Sequence, residues 1–145
     1  MNLLGLDFGR RRIGVAVSHG VVAGSLTTLN FDEQNFADFV QKIKEIAQAQ
    51  RADKIIVGLP LGFRKAATTQ SDWTKKQSEK LAKDTGFNVE FVEESFSSTE
   101  ARDQVASFAM SKKNKAKKGL IDQESARIIL QQYLNENSDP SLQAN

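Results

Sequence analysis

The stretch Leu3-Leu4-Gly5-Leu6-Asp7-Phe8-Gly9-Arg10-Arg11-Arg12-Ile13-Gly14-Val15-Ala16-Val17-Ser18 sets two short apolar runs on either side of a glycine and a basic triplet. Runs of this length, rich in Leu, Ile and Val and bounded by turn residues, predict strands, so residues 2 to 18 read as a hairpin turning around Gly9 to Arg12. Asp7 is the exception in the first run. An ionised carboxylate among apolar neighbours is costly unless a cation pairs with it. Two partners fit: a metal ion, or one of Arg10, Arg11 and Arg12 in a purely structural ion pair.

Beyond the hairpin, Ser25 to Asn30 predicts a third strand. A helix follows from about Asp32 to Gln50, where Phe36, Phe39, Val40, Ile43 and Ala47 recur at helical spacing and Asn30 and Glu33 resemble a capping pair. Lys54 to Gly58 is a short apolar run of the kind found in central parallel strands. Leu59 to Ala67, with Pro60 and Gly62, lacks periodicity and reads as a loop. Next come a helix from Thr69 to Asp84, a strand from Asn88 to Val92, a helix from Ser98 to Met110, a lysine-rich loop, and a last helix from Asp122 to Glu136. The expectation is a single domain over residues 1 to 137 with a polar tail at 138 to 145. Three strands in a meander followed by alternating helices and strands imply an α/β fold, a mixed sheet antiparallel on one side and parallel on the other, flanked by helices. Functional sites in parallel sheets gather at the carboxyl ends of strands. Asp7, Glu93, Glu94 and Asp122 are placed to converge there.

Composition narrows the chemistry. The 145 residues include no cysteine and one histidine, His19, which excludes zinc ribbons, thiol nucleophiles, disulfide scaffolds and histidine-rich metal sites. No apolar run approaches the ~20 residues of a membrane span, and no leader precedes the first strand, so a cytoplasmic protein without membrane contact is expected. Net charge is only +2, but Lys112, Lys113, Lys115, Lys117 and Lys118 crowd into one stretch and Arg10 to Arg12 into another. Local basic clusters of this kind suit nucleic acid. Gly9 and Gly14 beside the arginines leave room for its backbone.

The segments Gly5 to Ser18, Ile56 to Leu61 (Ile-Val-Gly-Leu-Pro-Leu), Glu93 to Ala101 (Glu-Glu-Ser-Phe-Ser-Ser-Thr-Glu-Ala) and Lys117 to Ala126 (Lys-Lys-Gly-Leu-Ile-Asp-Gln-Glu-Ser-Ala) resemble, in order and spacing, the motifs of the YqgF family. Those bacterial proteins are related to Holliday junction resolvases and are described as nucleases for the precursor of 16S ribosomal RNA. The resemblance implies a ribonuclease H-like mixed five-stranded sheet flanked by helices, with catalytic carboxylates at Asp7, at the acidic pair Glu93-Glu94, and at Asp122. Phosphodiester cleavage needs an activated water and relief of charge at phosphorus and leaving oxygen. Two Mg2+ or Mn2+ ions supply all three and take oxygen ligands, so neither His nor Cys is required. Asp7 is the expected bridging ligand, with Glu94 and Asp122 completing one site each and Glu93 as the other metal-ligand candidate. Arg10, Arg11, Arg12, Arg64, Lys65, Lys112, Lys113, Lys115, Lys117 and Lys118 are the expected nucleic-acid contacts.

The chain departs from the family where it carries Glu93-Glu94-Ser95 in place of Asp-Glu-Arg, which lengthens the first acid and removes an arginine that Arg64 or Lys65 can replace. Strand alternation separates Glu93, on the side of Val89 and Phe91, from Glu94, without fixing which side holds the site. The turn after Leu61 is altered too.

Plainer readings accompany each motif. Asp122 alone is a good helix N-cap, followed by the apolar pattern Ala126, Ile129, Leu130 and Tyr133. Glu93 and Glu94 alone are a solvated strand end, and the lysine run a solvated loop. Trp73 reads as packing and His19 as an exposed turn residue. Three functional classes follow: a metal-dependent nuclease, a nucleic-acid-binding member without catalysis, and a phosphotransferase of the actin and sugar-kinase type. The last closes two such domains around ATP, and this chain has length for one. Within the nuclease class, ribosomal RNA precursor processing ranks ahead of resolving branched DNA, since junction resolution calls for a symmetric dimer and the sequence leaves monomer and homodimer both open.

Overall fold

The computed structural model describes residues 1–61, 67–94 and 116–137, the last segment with side chains from Gly119 onward. The expected helix at 98 to 110 and the tail at 138 to 145 lie outside the described residues. The elements are β1 (Leu3–Phe8), β2 (Arg12–Ser18), β3 (Ala23–Asn30), a 3-10 turn (Glu33–Asn35), α1 (Phe36–Gln50), β4 (Lys54–Leu59), α2 (Thr69–Thr85), β5 (Val89–Glu93) and α3 (Ala116–Glu136). The sheet order is β3-β2-β1-β4-β5. β1, β2 and β3 pair antiparallel, and β1, β4 and β5 pair parallel, as the order of strands and helices predicts.

Alternation along β1 divides the molecule into two layers, because successive side chains leave opposite faces of a strand. Leu4, Leu6 and Phe8 join Ile13, Val15, Ile55 and Val57 beneath α1 and α2. On that face the α1 stripe Phe36, Phe39, Val40, Ile43 and Ala47 is buried. Phe8, Phe31, Phe39 and Trp73 meet edge to face with ring centroids 5.1 to 6.3 Å apart, the arrangement their quadrupoles favour. On the other face Leu3, Ala16, Ile56 and Val92 pack against Ala126, Ile129 and Leu130 of α3.

Helix boundaries differ from expectation in two places. α1 is entered through the 3-10 turn, whose cap is Asp32, accepting from the Gln34 N–H at 3.0 Å, rather than the Asn30 and Glu33 pair. Glu33 instead reaches across to α2, accepting from Trp73 Nε1 and, at 2.8 Å, from Gln77 Nε2. α3 starts six residues before Asp122, so Asp122 lies inside the helix and is not its N-cap. Lys117 and Lys118 sit in the first turn of α3, not in a loop.

α2 buries Ser71, Thr74, Gln77 and Ser78 alongside Leu81, a mostly polar face. Its ends are held locally: Thr68 and Ser71 form a reciprocal capping box, and Gly86 closes the helix at φ 78° with its N–H on the Ala82 carbonyl. Gly86→Ala is expected to cost about 1 kcal/mol, since only glycine adopts that conformation without penalty. A shift in urea midpoint at unchanged slope checks this.

Candidate active site

Asp7 points to the α3 face of β1, and the neighbouring strands present glycines there. Gly14 stands opposite Asp7 in the β1–β2 register, and Gly58 follows Val57, the β4 partner of Leu6. A side chain at either position would collide. A Cβ on Gly14 would lie 1.9 Å from the Asp122 carbonyl oxygen, and one on Gly58 2.6 Å from Ile129 Cδ1 and 2.7 Å from Glu94 Oε1. Gly5 is similarly covered, its Cβ position 2.8 Å from Leu130 Cβ. The strand glycines therefore let α3 lie directly on the sheet backbone, which is the usual meaning of glycine inside a strand. Gly14 thus receives α3 and not a nucleic-acid backbone, and a Cβ on Gly9 would fall 2.6 Å from the Arg12 carbonyl oxygen, so neither glycine is the open approach the sequence suggested.

Helical periodicity then places Asp122. It precedes Ala126 by one turn on the stripe that continues through Ile129, Leu130 and Tyr133, so it faces the sheet beside Asp7. Thr28 Oγ1 donates to the Gly119 carbonyl and Gln131 Oε1 accepts from the Ala23 N–H at 2.9 Å, tying both ends of this part of α3 to β3.

Glu94 arrives from the other edge. Its N–H bonds to the Leu59 carbonyl at 2.9 Å, extending the parallel pairing one step past β5. Its carboxyl group hydrogen-bonds to that of Asp7. Glu93 points away and is exposed, although its carbonyl accepts from Gln132 Nε2 at 2.7 Å. Of the two adjacent acids, only Glu94 joins Asp7.

Burial, reinforced by the charge of Asp122, raises the Asp7 pKa to about 7, while the Glu94 hydrogen bond acts the other way. Burial, then the charge of Asp7 and the hydrogen bond to it, raises Glu94 to about 8. The pair therefore holds one proton between its two carboxylates near neutral pH. Asp122 is neutralised differently, by Arg12, whose Nε donates to Oδ2 at 2.8 Å. Arg12, one of the three arginines expected as partners for Asp7, is thus engaged by Asp122, across 110 residues of sequence that carry no local signal of the pairing.

The other basic residues divide. Arg10 lies over the Trp73 ring, 4.1 Å from its centroid, with Nε on Gln70 Oε1 at 3.2 Å. Trp73 is accordingly a packing residue that also seats an arginine. Arg11 is exposed, and its carbonyl accepts from the Phe31 N–H at 2.8 Å. Arg64, Lys65, Ser95, Lys112, Lys113 and Lys115, and the side chains of Lys117 and Lys118, lie outside the described residues. His19 is exposed, its ring Nε2 3.0 Å from Gln50 Oε1.

Residues 1–136 match the family described as "RuvX: Holliday junction resolvase". The chain belongs to the RuvX family. Its relatives include a Synechococcus protein named "Putative pre-16S rRNA nuclease", 34% identical over 139 residues, which span 94% of this RuvX chain and 91% of that protein. A Picosynechococcus protein of the same name is 37% identical over 135 residues, 90% of each chain. The YqgF resemblance is thereby borne out. Among solved structures, Thermus thermophilus RuvC in complex with a Holliday junction substrate superposes with a TM-score of 0.55 at 13% identity, over 92% of this chain and 93% of that one. A second T. thermophilus RuvC structure gives a TM-score of 0.52 at 14% identity, over 92% and 94%. This RuvX chain thus has the mixed five-stranded, ribonuclease H-like fold that the sequence predicted.

Proposed function

We propose that this chain is a divalent-metal-dependent nuclease that hydrolyses phosphodiester bonds in structured RNA in the cytoplasm, with the 5′ end of the 16S ribosomal RNA precursor as its substrate. The observation that carries the reading is the placement of Asp7 against Glu94 at the carboxyl ends of parallel strands, with Asp122 close enough for its charge to act on Asp7. Like charges so placed call for a cation, and an all-oxygen donor set suits Mg2+ or Mn2+. Among the described residues no three His, Cys, Asp or Glu side chains already form a metal cage. Mg2+ keeps several waters and takes one or two carboxylates together with substrate phosphate oxygens.

When bound, such ions would supply Lewis acidity that activates water and offsets charge on the phosphate and the leaving oxygen. Asp7, reached by both the hydrogen bond of Glu94 and the charge of Asp122, would hold such ions together with Glu94 and Asp122. Gly14 and Gly58 let α3 close on the sheet, which sets Asp122 on the face that carries Asp7. Arg10, braced on Trp73, presents a guanidinium to the nucleic-acid backbone next to the β1–β2 turn, and the lysines before and at the start of α3 are further contacts.

The names of the curated relatives favour the RNA substrate. The family description favours four-way DNA junctions, and that is the second reading. Incubating the protein with a 5′-extended 16S precursor RNA and with a four-way junction, in Mn2+, Mg2+ or EDTA, separates them. Cutting of the RNA in metal and its absence in EDTA is expected, with Glu94→Gln slower by at least about 100-fold, the upper range for losing even an outer-sphere metal partner. Binding of both substrates without cutting in any metal would replace the nuclease reading with a non-catalytic one.

A further inference from the structure

Arg12 is the one basic side chain that the described structure joins directly to an acid of the candidate site. Its Nε donates to Asp122 Oδ2 at 2.8 Å, with the arginine side chain 39% exposed and the aspartate 23%. The backbones on both sides are fixed. The Arg12 carbonyl accepts from the Gly9 N–H at 2.9 Å, and the Asp122 carbonyl rests against Gly14, where no side chain fits. What can change is which cation Asp122 holds, because the exposed arginine side chain has room to turn toward solvent.

Asp122 cannot serve a guanidinium and a divalent ion equally well. The two cations repel, and a metal that takes Oδ2 takes it from Nε. A displaced guanidinium matches a nucleic-acid phosphate in both charge and fork geometry. We propose that Arg12 is a positioning residue that holds Asp122 as a resident cation, yields it to a divalent ion, and passes its guanidinium to a phosphate of the bound nucleic acid. This rests on the metal-dependent nuclease reading.

The test is Mn2+ titration of the free protein, followed by the paramagnetic resonance of unbound Mn2+, for the parent, Arg12→Ala, Arg12→Lys and Arg11→Ala. Arg12→Ala is expected to bind Mn2+ about fivefold or more tightly, a coupling of ordinary size between two sites. Arg11→Ala, which removes an equal charge nearby, is expected to change affinity by less than about twofold, and Arg12→Lys to fall between. Although it binds metal more tightly, Arg12→Ala is expected to bind RNA more weakly, with the slope of log affinity against log salt shallower by about one phosphate contact. Arg12→Lys guards against a folding defect in the alanine variant, since it retains charge and bulk. A parent that binds Mn2+ and cuts, while Arg12→Ala gains no more than Arg11→Ala, overturns the Arg12 assignment alone. Failure of every variant to bind Mn2+, with no cutting by the parent, overturns both this assignment and the metal reading.

Discussion

Asp7→Asn is expected to lose cleavage by on the order of 1,000-fold, about 4 kcal/mol of transition-state stabilisation, and yet to be more stable than the parent in EDTA at pH 8. The loss follows from its place as the acid both others reach. The gain follows from proton linkage. In the unfolded chain Asp7 and Glu94 titrate near 3.8 and 4.5, whereas in the folded chain they titrate near 7 and 8. Between about pH 4 and 8 the folded protein therefore binds more protons than the unfolded one, and its stability falls as pH rises. The contribution is fully present below the unfolded values and is lost as pH passes through the folded ones. An asparagine has no proton to lose and can still donate to Glu94. Melting curves in EDTA from pH 5 to 8.5 are expected to fall less steeply for Asp7→Asn, with a difference on the order of 2 kcal/mol at the alkaline end. Added Mn2+ should reverse the order by raising the melting temperature of the parent alone. A variant equally destabilised at both ends of the range would show that Asp7 carries no such strain.

Gly14→Ala is expected to be the most damaging single methyl group in the described part of the chain. Its Cβ would stand 1.9 Å from the Asp122 carbonyl oxygen and 2.3 Å from the carbonyl carbon, both backbone atoms that no rotamer can move. Relief requires lifting α3 from β2 by more than an ångström, against its ties from Thr28 and Gln131. Overpacking of this severity costs about 3 kcal/mol or more, read as a lowered denaturant midpoint. Cleavage by the fraction that remains folded should drop about 100-fold, since Asp122 moves with its backbone. Gly24→Ala, where an added Cβ meets nothing within 4 Å, is the matched control and should leave the site in place.

These variants also mark how far the sequence could be read. The β1–β2 hairpin and the α1 stripe were legible because alternation and helical spacing are local patterns, and the mixed sheet because three strands in a row precede alternating helices and strands. The start of α3 was not. Ala116 to Ile121 includes a glycine and follows a lysine run, which reads as loop, whereas the helix at Gly119 is held by a contact distant in sequence, Thr28 Oγ1 donating to its carbonyl. The same error made Asp122 look like a cap. Alternation separated Glu93 from Glu94 but had no reference face. The strand glycine Gly58 was the available clue, since a bare backbone next to Asp7 marks the side where a second acid and a helix can both fit. The Arg12–Asp122 bond lay beyond reach, because an arginine three positions from a lone buried acid in the hairpin is the more obvious partner for that acid.

The order in which the chain is made gives the helix seat on β2 one more meaning. β1, β2 and β3 are neighbours in sequence and in space, so the strand bearing Asp7 can be laid down early, from short-range pairing alone. Its counterpart on α3 is bonded to β2 only after 110 further residues have been added. Until those residues have been added, a nascent chain holds a sheet without its α3 acid. On the proposed nuclease reading, the strand that carries Asp7 is built well before Asp122 reaches it, and the docking of α3 is the folding step that would complete the set of acids.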